Sequence, residues 1–282
     1  MPENRFSSLA VAHGWDRLFP AMAKAWDPVG TLLPAFRAAG FQGLGTVLAG
    51  IHDSNANYLR YLAAGTRDFT LLSTGTWIIG FAPGADILNM QPDRDTVTNT
   101  DILGRPVPCC RFMGGREIEL ASGGVPATSA TFEAARAVVV KGSLALPSFS
   151  PSDGPMPGTA NNGRFEGPPP QTDAERASLA SIYCAQMTDQ ALCAVGATGD
   201  IIVDGPFGKN PLYLSVLGAL RPVQRVLVSD IVDGTAAGAA LLSQMAGNGK
   251  IPHVPLDLTE VPRGDWPGLA PYHARWLAQN GV

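Results

Sequence analysis

Residues 201–210 read IIVDGPFGKN, an apolar run followed by a glycine-containing turn and by the first residue of a helical pattern. The apolar residues 201–203 are typical of a buried strand, and Asn210 is a residue type that begins helices. A strand, a turn without side chains and a helix N-terminus together favour a flat or anionic ligand against the backbone. The segment is not a Walker A loop, since its spacing differs and Lys209 is followed by Asn. Taken alone, it is equally a structural turn.

Working outward from this turn, strand and helix patterns alternate. The C-terminal half predicts a long helix over residues 173–195 that Thr172 caps, a helix over 210–220, a strand over 225–228 and an Ala/Gly-rich helix over 234–245. The N-terminal half predicts a loosely packed helical region over residues 5–42, a buried strand over 46–51, a helix that Ser54 caps and Gly65 ends, strands over 69–73, 77–81 and 106–112, a helix from Arg116, and a Pro/Gly/Ser-rich loop over 147–170. This alternation predicts an α/β layer architecture.

Composition excludes several classes of protein. Of the 282 residues 45% are apolar and the net charge is only −4, so a mainly disordered chain is excluded. Twenty basic residues face 24 acidic ones without a basic cluster, which argues against nucleic acid as a partner. No apolar run reaches the ~18–20 residues of a membrane helix, and no signal peptide opens the chain. We therefore expect a soluble, cytoplasmic protein without a membrane partner, whose four cysteines are reduced structural thiols.

The segment GIHDSNA, residues 50–56, carries a candidate general base. Asp53 follows the predicted strand 46–51 at the mouth of a helix, where α/β sheets bind ligands, and its carboxylate could accept a proton from a hydroxyl. Capping of that helix is an equally good interpretation from these residues alone. His52 has no second histidine nearby, so a metal hydrolase built on His52 and Asp53 lacks its ligand cluster.

Two further segments contain small residues, one in a turn between strands and one along a helix. In LLSTGTW, residues 71–77, two predicted strands are joined by a turn whose backbone N–H groups and hydroxyls suit a phosphate, although any hairpin could contain such a turn. In DGTAAGAA, residues 233–240, the small residues form one helix face, which predicts close packing of that helix on the sheet.

In this order, GIHDSNA, LLSTGTW, VDGPFGKN and DGTAAGAA resemble the FGGY family of carbohydrate kinases, in the branch that includes rhamnulokinase-like and fuculokinase-like enzymes. The resemblance extends over about residues 14–249. It implies the ribonuclease H-like (actin-like ATPase) fold, in which two domains close over a cleft. It also implies ATP-dependent phosphorylation of a sugar hydroxyl of a ketose or related carbohydrate, with Mg²⁺ bridging the phosphates.

The resemblance assigns roles position by position. Asp53 matches the catalytic base that takes the proton of the sugar hydroxyl, and His52 would lie beside the sugar. The nucleotide-binding positions that the resemblance implies are Gly75 and Thr76 at the phosphates, Gly205 at the adenosine and Asn210 at the start of the following helix. Arg111 and Glu119 occupy positions where relatives place polar residues near the nucleotide, but their residue types differ.

The chain departs from the family pattern before Asp53, because the D-x-G-T/S phosphate loop of the first domain has no counterpart there. We therefore expect residues 1–66 to be a remnant of the N-terminal kinase domain, 67–250 the C-terminal nucleotide-binding domain and 251–282 a C-terminal tail. Such a chain would bind nucleotide weakly and phosphorylate sugar poorly alone. It would expose apolar residues around 15–41 and pair with a second copy or the missing domain. The alternative is a non-catalytic actin-like module that binds a nucleotide or a partner.

Overall fold

The computed structural model describes residues 5–37, 40–43, 45–229, 231 and 233–281. The strands in these residues are β1 (Pro28–Thr31), β2 (Thr46–Leu48), β3 (Phe69–Thr74), β4 (Ile78–Phe81), β5 (Thr96–Thr100), β6 (Pro106–Phe112), β7 (Leu144–Leu146), β8 (Arg164–Glu166), β9 (Asp200–Asp204), β10 (Val226–Ser229) and β11 (Leu258–Glu260). The α-helices are α1 (Ser8–Ala12), α2 (Asp53–Ala63), α3 (Gly114–Ser122), α4 (Phe132–Lys141), α5 (Asp173–Val195), α6 (Pro211–Leu220), α7 (Gly234–Met245) and α8 (Leu269–Gln279). None of the described helices has the length and apolarity that crossing a membrane requires.

The chain divides into two units. The first contains residues 1–66, 100–106 and 233–256, and the second contains residues 67–99, 107–232 and 257–282. The linear division predicted from the sequence, at residues 66 and 250, stays a prediction about domains.

The second unit is built on a mixed seven-stranded sheet in the order β11-β10-β9-β3-β4-β6-β5. Strand β9 pairs in parallel with both β3 and β10, whereas β4 pairs antiparallel with β3 and with β6. The apolar stretch of β9 is fully buried, as the continuous apolar run of a central parallel strand predicts. Because β3 and β9 run in parallel with Ser73 opposite Asp204, the turns that follow them leave the sheet at the same edge.

Helix α5 lies at the centre of the second unit's core. The side chain of Thr172 accepts a hydrogen bond from the Glu175 amide at the start of α5, and Gly196, with a φ of 67°, ends the helix. Helices α3, α4 and α6 pack against it. Helix α8 also belongs to this core, because Trp276 is fully buried and donates from Nε1 to the Ala145 carbonyl at 2.8 Å.

Helices α2 and α7 pack together in the first unit, around the buried side chains of Trp26, Leu59, Ala63, Leu241, Leu242 and Met245. Their backbones approach closely, because a Cβ atom on Gly238 would lie 1.8 Å from the carbonyl oxygen of Ala56. The small-residue face of α7 is used for close packing as predicted, but the predicted partner was wrong: the close contact is with helix α2 and not with the sheet.

The N-terminal segment differs most from the sequence prediction. Residues 5–42 are not a loose helical region: among the described ones, only Ser8–Ala12 forms an α-helix, with 3₁₀ turns at Trp15–Leu18 and Pro34–Phe36 and strand β1 between them. The predicted strand over 46–51 forms only at Thr46–Leu48, and its predicted burial was wrong, because β2 pairs with the exposed β1 in a two-stranded sheet and leaves its own residues largely exposed. Prolines 20, 28 and 34 explain the lack of a helix.

Smaller corrections concern element ends and short elements. Helix α2 begins at Asp53 with His52 at the N-cap position, two residues before the predicted Ser54 cap. The predicted loop 147–170 contains strand β8, which pairs antiparallel with β7. Helix α4 was not predicted, although Thr131 caps it and Gly142 ends it.

Candidate nucleotide-binding turns and candidate base

The turn between β3 and β4 contains the predicted phosphate-binding residues Gly75 and Thr76. The Gly75 amide donates to the Trp77 carbonyl at 2.8 Å, which closes a tight turn. A Cβ atom on Gly75 would meet nothing within 4 Å, and Thr76 is exposed. The turn therefore presents backbone and a hydroxyl to open space, as binding of an anion requires.

The turn after β9 interlocks with this first turn. Gly205 has a φ of 93°, and a Cβ atom on it would lie 2.2 Å from the carbonyl oxygen of Thr74. The Thr74 hydroxyl donates to the Asp204 carbonyl at 2.6 Å and accepts from the Phe207 amide at 3.2 Å. Only glycine fits the position of Gly205. Because Gly205 lies against Thr74, which precedes Gly75 and Thr76, the structure brings the two turns together within one unit.

Gly115, in the first turn of α3, supports the Gly75–Thr76 turn and was missed by the sequence analysis. Its amide donates to the Thr76 carbonyl at 3.1 Å, and a Cβ atom on it would lie 2.5 Å from the Gly75 carbonyl oxygen. The signal was the Gly114-Gly115 pair at the start of a helix, where glycine is a poor helix former unless another backbone approaches.

A cavity of about 270 Å³ lies beside Gly205, at the carboxyl ends of the parallel strands β9 and β10. Val228 and Ile231 give it apolar walls, and Lys209 and Ser229 add polar ones; Gly205, Pro206 and Gly208 complete the lining. Ligands of open α/β sheets bind at this end of the strands. The sequence analysis singled out neither Ser229 nor Ile231, because they lie on the neighbouring strand and the loop after it.

Asn210 is buried, and its side chain fixes the start of α6. Its Oδ1 accepts from the Tyr213 amide at 3.0 Å, and its Nδ2 donates to the hydroxyl of Ser181 on α5 at 3.0 Å. Asn210 therefore holds the segment that begins with Gly205 against the core.

Asp53 and His52 lie in the first unit, at the start of α2. The Oδ1 atom of Asp53 accepts from the Ser54 amide at 2.6 Å and lies 2.9 Å from the Nδ1 atom of His52. Both side chains remain about three-quarters exposed, at 75% for Asp53 and 73% for His52. Asp53 thus contributes to the helix start and stays accessible to a substrate.

The two polar residues near the predicted nucleotide site have partners of their own. Arg111 donates from Nε to Asp95 at 2.8 Å and lies over the ring of Trp77. Glu119 accepts from Arg116 at 2.7 Å and lines a second cavity of about 230 Å³ beside Ile118 and Ser122. Neither contact assigns these side chains to a nucleotide.

Comparison with known proteins identifies the family. The profile described as "Carbohydrate kinase FGGY, C-terminal domain" matches residues 66–251, about two thirds of the chain. The chain belongs to the FGGY carbohydrate kinase family. Its mixed sheet and flanking helices are accordingly the C-terminal domain of the actin-like ATPase sugar kinase fold, which confirms the predicted fold class.

Solved structures support the same assignment. A carbohydrate kinase from Novosphingobium aromaticivorans is 33% identical, with a TM-score of 0.75 over 99% of this FGGY chain and 61% of its own. A xylulose kinase from Rhodospirillum rubrum is 18% identical, with a TM-score of 0.65 over 98% of this chain and 59% of its own. A gluconate kinase from Lactobacillus acidophilus is 12% identical, with a TM-score of 0.65 over 94% and 57%. The last two show the fold alone.

The FGGY chain spans about three fifths of the length of these solved structures. No curated protein matches it.

Proposed function

We propose that this chain takes part in the ATP-dependent phosphorylation of a sugar hydroxyl, on a ketose or related carbohydrate, in the manner of the rhamnulokinase-like and fuculokinase-like branch. In this proposal Gly75 and Thr76 hold the phosphates, Gly205 lies against the adenosine and Asp53 is the general base. The observation that carries the proposal is the interlock of the two turns, in which Gly205 lies against the Thr74 carbonyl.

The interlock supports nucleotide binding on physical grounds. The exposed hydroxyl of Thr76 and the N-terminus of α3 are suited to negative charge. The 270 Å³ cavity beside Gly205 offers apolar walls for a flat base. A ligand with a polyphosphate at one end and a heterocycle at the other matches this pair of features, and ATP is such a ligand. Asn210 contributes by fixing the helix after the glycine turn.

The exposure and the hydrogen bonds of Asp53 support its assignment as the general base. Its Oδ1 atom is engaged by the Ser54 amide, which leaves Oδ2 to accept the proton of a sugar hydroxyl. Phosphoryl transfer needs such a carboxylate to receive the hydroxyl proton, together with donors that neutralise charge on the phosphates. We assign His52, next to Asp53, to sugar binding. The joint action of Asp53 and the nucleotide turns rests on the family resemblance.

Magnesium does not have a preformed protein site among the described residues, which contain no group of three His, Cys, Asp or Glu side chains able to hold a metal ion. Kinases of this kind take up Mg²⁺ together with the nucleotide, and the ion would neutralise charge on the phosphates.

Calorimetry with ATP and ADP tests the nucleotide site, and we expect weak but saturable binding. Turnover is measured as sugar-dependent ADP release, with the chain fused to the part of the Novosphingobium aromaticivorans kinase that it does not cover. In this fusion Asp53→Asn should lower kcat by about 10²-fold or more and leave ATP affinity nearly unchanged.

Asp93→Asn is the matched control for Asp53→Asn, because Asp93 is also an exposed acidic residue. An unchanged kcat in the Asp53→Asn fusion would remove Asp53 from the role of base. Nucleotide binding without turnover in the unmutated fusion would instead favour a non-catalytic nucleotide-binding module.

A further inference from the structure

Glu117 is a buried carboxylate on the first turns of α3, with an exposed fraction of only 1%. Its Oε2 accepts from the Phe149 amide at 2.9 Å and from the Tyr183 hydroxyl at 2.7 Å, and its Oε1 accepts from the Ser150 amide at 3.0 Å. No lysine, arginine or histidine among the described residues forms an ion pair with Glu117. Three charge-assisted hydrogen bonds therefore compensate for the cost of burying this group.

The three donors come from two different elements. Phe149 and Ser150 belong to the segment after β7, and Tyr183 lies on α5. Burial, together with the charge of Glu117, raises the pKa of Tyr183 well above its usual value, so the hydroxyl keeps its proton and remains a donor. Glu117 thus ties α3 to the central helix and to the segment after β7 at once.

The same turns of α3 support the candidate phosphate turn. Gly115, two residues before Glu117, donates to the Thr76 carbonyl and has a Cβ position only 2.5 Å from the Gly75 carbonyl oxygen. The approach leaves no space for a side chain at position 115, and a shift of α3 away from the turn would break the Gly115 hydrogen bond. The anchorage of α3 therefore sets the position of the Gly75–Thr76 turn.

We propose that Glu117 is a positioning residue for phosphate binding: its hydrogen bonds to Phe149, Ser150 and Tyr183 hold α3 where Gly115 supports the Gly75–Thr76 turn. The effect on nucleotide affinity rests on the proposed function, whereas the effect on the turn does not. Glu117 touches no substrate in this scheme.

Glu117→Gln is the main variant. The Gln side chain keeps one oxygen but places an NH₂ group against N–H or O–H donors, so at least one buried donor loses its acceptor. We expect the Kd values for ATP and ADP to rise about tenfold, since that corresponds to the loss of one hydrogen bond to a charged group. The affinity for adenosine, which has no phosphate, should change less than about twofold.

Two tyrosine variants separate positioning from general loss of stability. Tyr183→Phe removes one donor from Glu117, and Tyr272→Phe removes a comparable buried hydrogen bond, from the Tyr272 hydroxyl to the Ser143 carbonyl at 2.7 Å. We expect both to lower the melting temperature and only Tyr183→Phe to weaken ATP binding. An equal loss of ATP affinity in both would overturn the proposal. If Glu117→Gln does not fold, Tyr183→Phe still tests whether the hydrogen bonds of Glu117 affect ATP binding.

Hydrogen exchange gives a readout that does not depend on nucleotide. The amides of Gly75 and Gly115 should exchange faster in Glu117→Gln and Tyr183→Phe than in the unmutated chain, and at an unchanged rate in Tyr272→Phe. If the unmutated chain binds neither ATP nor ADP, the proposed function fails and the exchange rates still test the positioning role. Unchanged rates at both amides in both variants would refute it.

Discussion

At the scale of single residues, Gly205 is held by a contact that leaves no space for a side chain. Its φ is 93°, and a Cβ atom at this position would lie 2.2 Å from the Thr74 carbonyl oxygen, so both the backbone conformation and the lack of space disfavour any other residue. We expect Gly205→Ala to destabilise the protein by about 2–4 kcal/mol and to abolish ATP binding. Urea unfolding and calorimetry measure the two effects.

Gly208→Ala is the control for Gly205→Ala. Its Cβ atom would lie 3.3 Å from the Val203 carbonyl oxygen, without the left-handed backbone of Gly205. We expect it to cost less than about 1 kcal/mol. Equal losses of stability in the two variants would contradict the interpretation of the interlocked turns.

The four cysteines differ sharply in their predicted reactivity. Burial raises the pKa of Cys110 to about 12, and burial also places the pKa of Cys109 and of Cys184 far above the usual value. Cys193 is accessible at the surface, although partial burial and the nearby Asp189 raise the pKa of its thiol too. At pH 8 we expect one of the four thiols to react with a disulfide reagent in the native protein, more slowly than free cysteine.

The pH dependence of this reaction has a definite sign. Because the pKa of Cys193 is raised, its thiolate fraction is small at pH 8, and the labelling rate should still increase as the pH rises toward 10. Cys193→Ser should leave no reactive thiol in the native protein, and four thiols should react in the unfolded unmutated chain. Rapid native labelling of more than one thiol would show that the described burial is wrong.

The sequence indicated several residues of the candidate site but not the contacts that these residues make. Gly205 was recognised as a position for close approach, but its partner Thr74 precedes it by 131 residues. Gly115 and Glu117 were missed for the same reason, because Thr76 and Ser150 give them their roles and no local pattern records that pairing. The role of Asp53 as the base stays a prediction, since its hydrogen bond from the Ser54 amide at the helix start leaves the carboxylate exposed.

At the scale of elements, local signals worked where a helix carries its own caps. Helix α5 was predicted over its full length, because Thr172 caps it and Gly196 ends it, and α7 was predicted to the residue. The helical prediction for residues 5–42 was wrong, because prolines 20, 28 and 34 prevent a continuous helix and β1 is defined by its pairing with β2. Short strands that depend on distant partners leave no such local signal.

Two helical glycines have different surroundings, so replacing each with alanine should have opposite effects on stability. Gly238→Ala should destabilise the protein by about 2–4 kcal/mol, because its Cβ atom would lie 1.8 Å from the Ala56 carbonyl oxygen, which cannot move without its helix. Gly218→Ala in α6 would meet only the Val226 side chain at 3.7 Å and should stabilise by about 0.5–1 kcal/mol. Thermal unfolding of both variants measures the signs; a stabilised Gly238→Ala protein would contradict the described packing.

At the scale of the whole molecule, the four motifs taken in order identified the family, whereas the predicted domain boundaries at residues 66 and 250 stay a prediction. Residues 100–106 and 233–256 join the N-terminal segment in the first unit, although they lie far along the chain. Segments that return to an earlier part of the chain leave no local signal in the sequence, because contacts between distant residues define them.

The distribution of exposed apolar side chains predicts self-association. Eleven of the 22 large apolar side chains that are exposed among the described residues lie within residues 9–47. Such a concentration exceeds the scattered apolar residues of an ordinary surface and favours contact between copies. We expect sedimentation velocity to show association that increases with protein concentration. Because burial of apolar surface drives it, ammonium sulfate should strengthen the association, whereas association through ion pairs would weaken with salt.

Substitutions locate this association on the chain. Leu18 and Phe36 are 78% and 72% exposed, so replacing both with serine removes apolar surface at little cost in stability. We expect the double variant to shift the association to higher concentration. Val223→Ser, in the second unit and 92% exposed, is the control and should leave the association unchanged. A single monomeric species over a hundredfold range of concentration, or an equal effect of the control, would show that residues 9–47 do not drive association.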